Sequence, residues 1–144
     1  MKSWKKRLLI AAGVLLALLF IATRSYLIPD TIPGVTFSVE EGSVTPEWMR
    51  YTIANDTDGE LTYGAEYRLE KRGLLGWRQL WENFLPTGWD AVGYFVSPRS
   101  TGIEDFSWTG RYGELSPGTY RMVRTYTLAG QDYTAAVEFT VPDR

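Results

Sequence analysis

Four large aromatic side chains, Trp77, Trp81, Phe84 and Trp89, fall between Gly76 and Asp90 in a stretch of loop character. An exposed tryptophan offers a flat, rigid face on which a sugar ring stacks or a protein partner anchors. Trp81, Phe84 and Trp89 are therefore the candidate ligand-binding residues, whereas Trp77 and Trp108 are expected to pack inside. The supply is large, with six Trp, nine Tyr and six Phe in 144 residues. A domain without cysteine also needs such side chains to fill its core and cover its open ends.

The other side chains capable of chemistry offer less. Glu104-Asp105 and Glu40-Glu41 are adjacent pairs, and neighbours on a strand point to opposite faces, so neither pair flanks one glycosidic bond. Residues Asn55-Asp56-Thr57-Asp58-Gly59-Glu60 have the composition of a calcium loop. With Gly59 as the sixth position, however, Ala54 and Ala65 occupy the places of the first and twelfth oxygen ligands. A hairpin turn is the expected reading there. Asn55-Asp56-Thr57 is a glycosylation sequon that has meaning only in a glycosylating pathway. No serine lies in a Gly-x-Ser-x-Gly elbow, and no glycine loop opens a helix to cradle phosphate. The chain has no His and no Cys. That excludes histidine acid–base chemistry, thiol nucleophiles, disulfides and the usual zinc, copper and iron ligand sets. A non-catalytic protein without cofactor or metal is predicted.

The elements that would position these residues are strands. From Val35 onward the apolar residues recur every second position, as in Val35, Phe37, Val39 and again in Met49, Tyr51, Ile53. Tyr63, Ala65, Tyr67 and Leu69 continue the pattern, and Tyr133, Ala135, Val137, Phe139 and Val141 close it. Each run reads as a strand with one buried and one wet face. Further strands are expected over 77–81, 92–96, 102–108 and 119–128, separated by turns such as Ser116-Pro117-Gly118 and Gly130-Gln131-Asp132. Seven to eight short strands without an intervening helix predict an all-β antiparallel sandwich over residues 35–142.

Residues 1–24 differ in kind. Lys2, Lys5, Lys6 and Arg7 precede an unbroken apolar run over 8–22, closed by Thr23-Arg24, and no acid appears before Asp30. The run would measure about 22 Å as a helix, against a bilayer core of ~30 Å. Phe20 and Arg24 spoil the candidate cleavage sites, so a signal anchor is preferred over a cleaved signal peptide. The first expectation is a single-pass membrane protein with an extracytoplasmic C-terminal domain; the alternative is secretion after cleavage. Pro29, Asp30, Pro33 and Gly34 mark residues 25–34 as a spacer. The first 24 residues hold five of the 15 basic groups and none of the 17 acids, which leaves the remainder at −7. An acidic outer domain argues against nucleic acid and against peripheral docking to anionic lipid.

The most distinctive stretch is Trp108-Thr109-Gly110-Arg111-Tyr112-Gly113-Glu114-Leu115-Ser116-Pro117-Gly118-Thr119-Tyr120-Arg121. With Tyr63-Gly64, Tyr67, Leu69-Glu70-Lys71, Trp77 and the closing Tyr133-x-Ala135-Ala136-x-x-Phe139, it resembles a family of bacterial immunoglobulin-like domains of exported proteins, over about residues 35–141. The resemblance implies an immunoglobulin-like β-sandwich and an extracytoplasmic setting, with no catalytic residues to carry over. Trp108, Tyr112, Gly113, Leu115, Pro117, Gly118 and Tyr120 then form a structural motif. In it Tyr120 is placed as a tyrosine corner, its hydroxyl bonded to upstream backbone, and Met122 points into the core. The expected function is a membrane-tethered interaction module that binds a protein or a cell-wall component. The alternatives are a carbohydrate-binding module using Trp81 and Trp89, and an accessory subunit recognised through its anchor helix.

Overall fold

In the computed structural model, which describes residues 2–83 and 88–144, one N-terminal helix precedes nine strands in two antiparallel sheets. Helix α1 spans Lys2–Thr23, about 33 Å at ~1.5 Å per residue. It is longer than the apolar run because the straight side chains of Lys5, Lys6 and Arg7 favour helix and extend it toward the N-terminus. Its apolar side chains are exposed along the whole length.

The first sheet contains β1 (Val35–Val39), β2 (Trp48–Asn55) and β7 (Ser100–Ser107), in the order β1-β2-β7. The second contains β3 (Leu61–Gly64), β4 (Arg68–Gly73), β5 (Gly76–Gln79), β6 (Gly93–Val96), β8 (Gly118–Leu128) and β9 (Gln131–Val141). A single helical turn, α2 (Thr109–Tyr112), carries the chain from β7 to β8. Strand β2 shows why the alternation is legible. Met49, Tyr51, Ile53 and Asn55 are buried, while Trp48, Arg50, Thr52 and Ala54 between them are half-exposed.

Long strand β8 organises the second sheet. One edge pairs with β9 along its whole length, from Gly118↔Val141 to Leu128↔Gln131. The other edge is shared, with β4 against its first half and β3 against its second. The expected single strand through Tyr63 and Leu69 is thus two strands, which raises the count from eight to nine. Four residues separate Tyr63 from Arg68, whereas only two separate their partners Tyr126 and Val123. The two extra residues form a bulge, and an even number keeps the inside–outside phase on both sides of it. The sequence pattern therefore runs through the interruption without revealing it.

Two further expectations are corrected. The turn at residues 55–59 is not a hairpin, because β2 and β3 belong to different sheets. Asn55 is fully buried there, and its Nδ2 donates to the carbonyls of Gly59, Val96 and Ser97 at 2.8, 3.1 and 3.2 Å. Those bonds occupy the amide nitrogen a glycan would need. Trp77 lies half-buried on the surface of the second sheet rather than in the core, under the guanidinium of Arg121. The core itself holds Tyr51, Ile53, Leu61, Leu69, Trp108, Tyr120, Met122 and Tyr126, all essentially inaccessible. Burying each large apolar side chain contributes ~1.5–3 kcal/mol.

Residues 25–34, expected as a spacer, lie hydrogen-bonded along the sandwich. The Ser25 amide donates to the Trp77 carbonyl at 2.9 Å, and the Asp30 amide to that of Thr134 at 2.8 Å. Ile32 is buried in the core.

Candidate functional site

Residues Ala65, Glu66 and Tyr67 leave the edge of β8, and opposite that gap stands Arg124. Its position in the inward series Tyr120, Met122, Arg124, Tyr126, Leu128 sends a guanidinium between the two sheets. Arg124 Nη1 donates to Glu104 Oε2 at 3.1 Å and to Tyr51 Oη at 3.1 Å, both on the opposite sheet. The hydroxyls of Tyr51 and Tyr63 donate to the same Glu104 oxygen at 2.7 and 2.9 Å. The rings of Tyr63, Phe106 and Tyr67 surround the guanidinium carbon at 5.0, 5.3 and 6.0 Å. Arg124 Nε is buried and has no hydrogen-bond partner among the described residues.

The electrostatics follow from this enclosure. Burial, reinforced by nearby groups that include Glu104, holds the Tyr51 and Tyr63 hydroxyls far above the usual phenol range. Burial pushes the Tyr67 hydroxyl up to about 12. For Arg124, burial works against the charge, but the interactions with Tyr51 and Glu104 more than offset it and hold its pKa above the ordinary arginine value.

Two surface clefts meet at this seam. One, about 800 Å³, is lined by Tyr63, Tyr67, Trp89, Tyr94, Arg124 and Thr125 among others. The other, about 440 Å³, includes Tyr67, Trp89, Asp90, Tyr94, Glu104 and Arg111. Tyr94 stacks on Tyr63 with centroids 5.3 Å apart, and Trp89 leans on Tyr67 at 5.0 Å. Flat aromatic walls around a few fixed polar groups suit a bound ligand, and the larger cleft has the volume of one.

The expected aromatic platform is not continuous. Trp89 belongs to the seam, whereas Trp81, 77% exposed, lines a separate groove beside the end of α1. Phe84 lies outside the described residues. The guanidinium of Arg111 also stacks on Trp89, 3.3 Å from the ring centroid. Arg111, on α2, acts as a clasp: Nη1 donates to Glu82 Oε2 at 2.9 Å, Nη2 to the Gly88 carbonyl, and its own carbonyl accepts from the Asn83 amide at 2.7 Å. It thereby holds the two ends of segment 82–89 together.

The motif around α2 sets this clasp in place. Trp108 is fully buried, stacks on Phe139 at 5.0 Å, and donates from Nε1 to the Pro46 carbonyl at 2.7 Å. The hydroxyl of Tyr112 accepts from the Leu69 amide at 3.3 Å, and the Leu115 amide donates to Pro46 at 2.8 Å. Gly113 has φ +67°, the left-handed region that favours glycine; a Cβ there would also meet Asn83 Nδ2 at 2.7 Å, the movable end of a side chain, so the backbone angle is what calls for glycine. Pro117 and Gly118 lead into β8, where the Tyr120 hydroxyl donates to the Ser116 carbonyl at 2.6 Å.

Glu104 and Asp105 lie on opposite faces of β7. Glu104 is engaged inside by Arg124. Asp105 is outside, where its hydrogen bond to Arg50 at 2.6 Å and the guanidinium charge hold its pKa below the usual carboxylate range. Arg124, Arg111, Tyr67 and Tyr94 are the site residues that sequence reasoning missed. The available signal for Arg124 was an arginine in an inward register otherwise occupied by Tyr, Met and Leu.

A family model described as a bacterial Ig-like domain matches residues 31–140. No curated protein and no solved structure matches the chain.

Proposed function

This chain belongs to the bacterial Ig-like domain family, and we propose that it is a membrane-tethered, extracytoplasmic, non-catalytic binding module. The observation that carries the reading is charge order along the chain. Four basic residues stand before the apolar stretch of a 22-residue helix, and all 17 acids follow it. A positive flank is retained in the cytoplasm, so α1 crosses and the acidic sandwich emerges on the far side. Protease shaving of intact cells tests the topology: the domain is expected to be cut, and protection until lysis would overturn the reading.

The binding surface is the seam around Arg124, where Tyr63, Tyr67, Trp89 and Tyr94 supply the apolar walls. A protein segment or cell-wall component is the ligand class. Glycan is the second reading, favoured by the stacked aromatics. Titration of tryptophan fluorescence with cell-wall glycans separates a glycan from a protein ligand. A glycan ligand predicts a spectral shift lost in Trp89→Ala and retained in Trp81→Ala, because only Trp89 lines the seam.

A further inference from the structure

Away from the seam, the tip of the β4–β5 hairpin exposes two leucines in full view of solvent. Leu74 is 105% and Leu75 61% exposed, and Trp81, past the other end of β5, is 77% exposed. Isolated apolar residues at a surface are ordinary, but these line one groove of about 810 Å³ with Leu19, Phe20 and Trp77. The groove is thus lined mostly by the hairpin and closed on one side by the last turns of α1.

The hairpin strands are bonded to the segment that follows the helix. Arg24, immediately after α1, forms a bridge with Arg78 of β5, and the Ser25 amide donates to Trp77 at 2.9 Å. Ser25 Oγ donates to Glu70 Oε1 at 2.6 Å, and Arg121 Nη2 to the Leu27 carbonyl at 3.1 Å. These bonds tie the β4–β5 strands to residues 24–27, and the leucine pair lines the same groove as Leu19 and Phe20.

Local charge is inverted as well. Residues 71–81 carry Lys71, Arg72 and Arg78 and no acid, within a region that has ten basic against 17 acidic groups. Lys71 turns its Nζ to Ser116 Oγ at 2.9 Å, which leaves Arg24, Arg72 and Arg78 as the cations that line the groove with the leucines, Trp77 and Trp81. Basic and tryptophan side chains around an apolar patch match the chemistry of a bilayer surface, with phosphates outside and acyl chains within. With Lys2–Arg7 of α1 on the cytoplasmic side, the apolar run over 8–22 measures about 22 Å against a ~30 Å hydrocarbon core, so the end of α1 is drawn to the far boundary and whatever sits beside its last turn is drawn there with it.

We propose that the β4–β5 hairpin tip is a second membrane contact. Leu74 and Leu75 enter the acyl boundary beside α1, Trp77 and Trp81 lie at the headgroup level, and Arg24, Arg72 and Arg78 meet lipid phosphates. The contact rests on the tethered reading of α1, and it holds the sandwich in one orientation on the bilayer instead of letting it tumble on a leash. The acidic remainder of the domain explains why only this corner approaches lipid.

The chain contains no cysteine, so single labels can be placed cleanly. Leu74→Cys, Leu75→Cys and, at the distant surface, Thr125→Cys carry an environment-sensitive fluorophore. The full chain is reconstituted in vesicles of phosphatidylethanolamine and phosphatidylglycerol. Flotation with the vesicles after alkaline extraction reads the anchor alone. If it fails, the tethered reading fails, and the hairpin contact falls with it. In floated protein, labels at 74 and 75 are expected to be blue-shifted, quenched by spin-labelled acyl chains, and several-fold less accessible to aqueous iodide than the label at 125. Iodide access equal to that at 125 would overturn the hairpin contact while leaving the anchor intact. Protection from iodide without acyl-chain quenching would also overturn it, and would point to a second protein copy over the tip.

Discussion

Glu70→Ala is the most informative single perturbation of this fold. Glu70 and Arg121 are direct partners across β4 and β8, and their side chains are 0% and 3% exposed. Arg121 Nε donates to Glu70 Oε2 at 2.5 Å, and Glu70 Oε1 accepts from Ser25 Oγ at 2.6 Å and Arg68 Nε at 3.1 Å. Removing the carboxylate leaves Arg121 a buried cation whose remaining partners among the described residues are the Leu27 carbonyl and the Trp77 ring, 4.4 Å away. Breaking a buried pair from one side costs ~3–5 kcal/mol. The Arg68 bridge adds under ~1 kcal/mol, because its side chain is 36% exposed and screened by water. The expected loss is therefore ~3–5 kcal/mol, a large share of the ~5–15 kcal/mol of a typical domain. Urea unfolding of the full chain in detergent micelles, followed by tryptophan fluorescence, reads it as a shift of midpoint at constant slope. The double variant Glu70→Leu/Arg121→Met removes both charges and should lose less than Glu70→Ala alone, since an apolar pair carries no desolvation penalty. A loss below ~1 kcal/mol for Glu70→Ala, or a double variant worse than the single, would refute the account of a paired, water-excluded charge.

Tyr120→Phe deletes the 2.6 Å bond to Ser116 and should cost ~1 kcal/mol in the same unfolding assay without altering the far-ultraviolet spectrum. Arg111→Ala releases Glu82, Gly88 and the face of Trp89; limited proteolysis should cut at 82–83 and 88–89 several-fold faster while the core resists. At high pH, burial raises the pKa of Tyr67 and Tyr126 to about 12, against ~10 in an unfolded chain. The neutral phenol is the form the fold holds, so this stabilisation is complete below pH ~10 and lost as pH rises through about 12. The urea midpoint should fall across that window, in step with phenolate absorbance, and a flat midpoint would count against buried tyrosines.

Period-two patterning determined the strands because one-sided burial is written directly into alternating residue type, as in Met49, Tyr51 and Ile53. The run from Leu8 to Ala22 likewise marked the helix, and Pro117-Gly118 marked the start of β8. Those features depend on neighbours in the chain. The two-residue bulge between β3 and β4 was invisible because an even insertion leaves the alternation in phase. The separation of Trp81 from Trp89 was equally hidden, since the two lie eight residues apart in sequence and only the pairing of β5 with β4 and of β6 with β3 sends them to different clefts. Which strand edges meet is decided by contacts between residues far apart in the chain. That is why the sequence alone determined an N-terminal apolar helix and a two-faced β domain, while tertiary structure alone placed Arg124 among its tyrosines and set Leu74 and Leu75 in one groove with the end of α1.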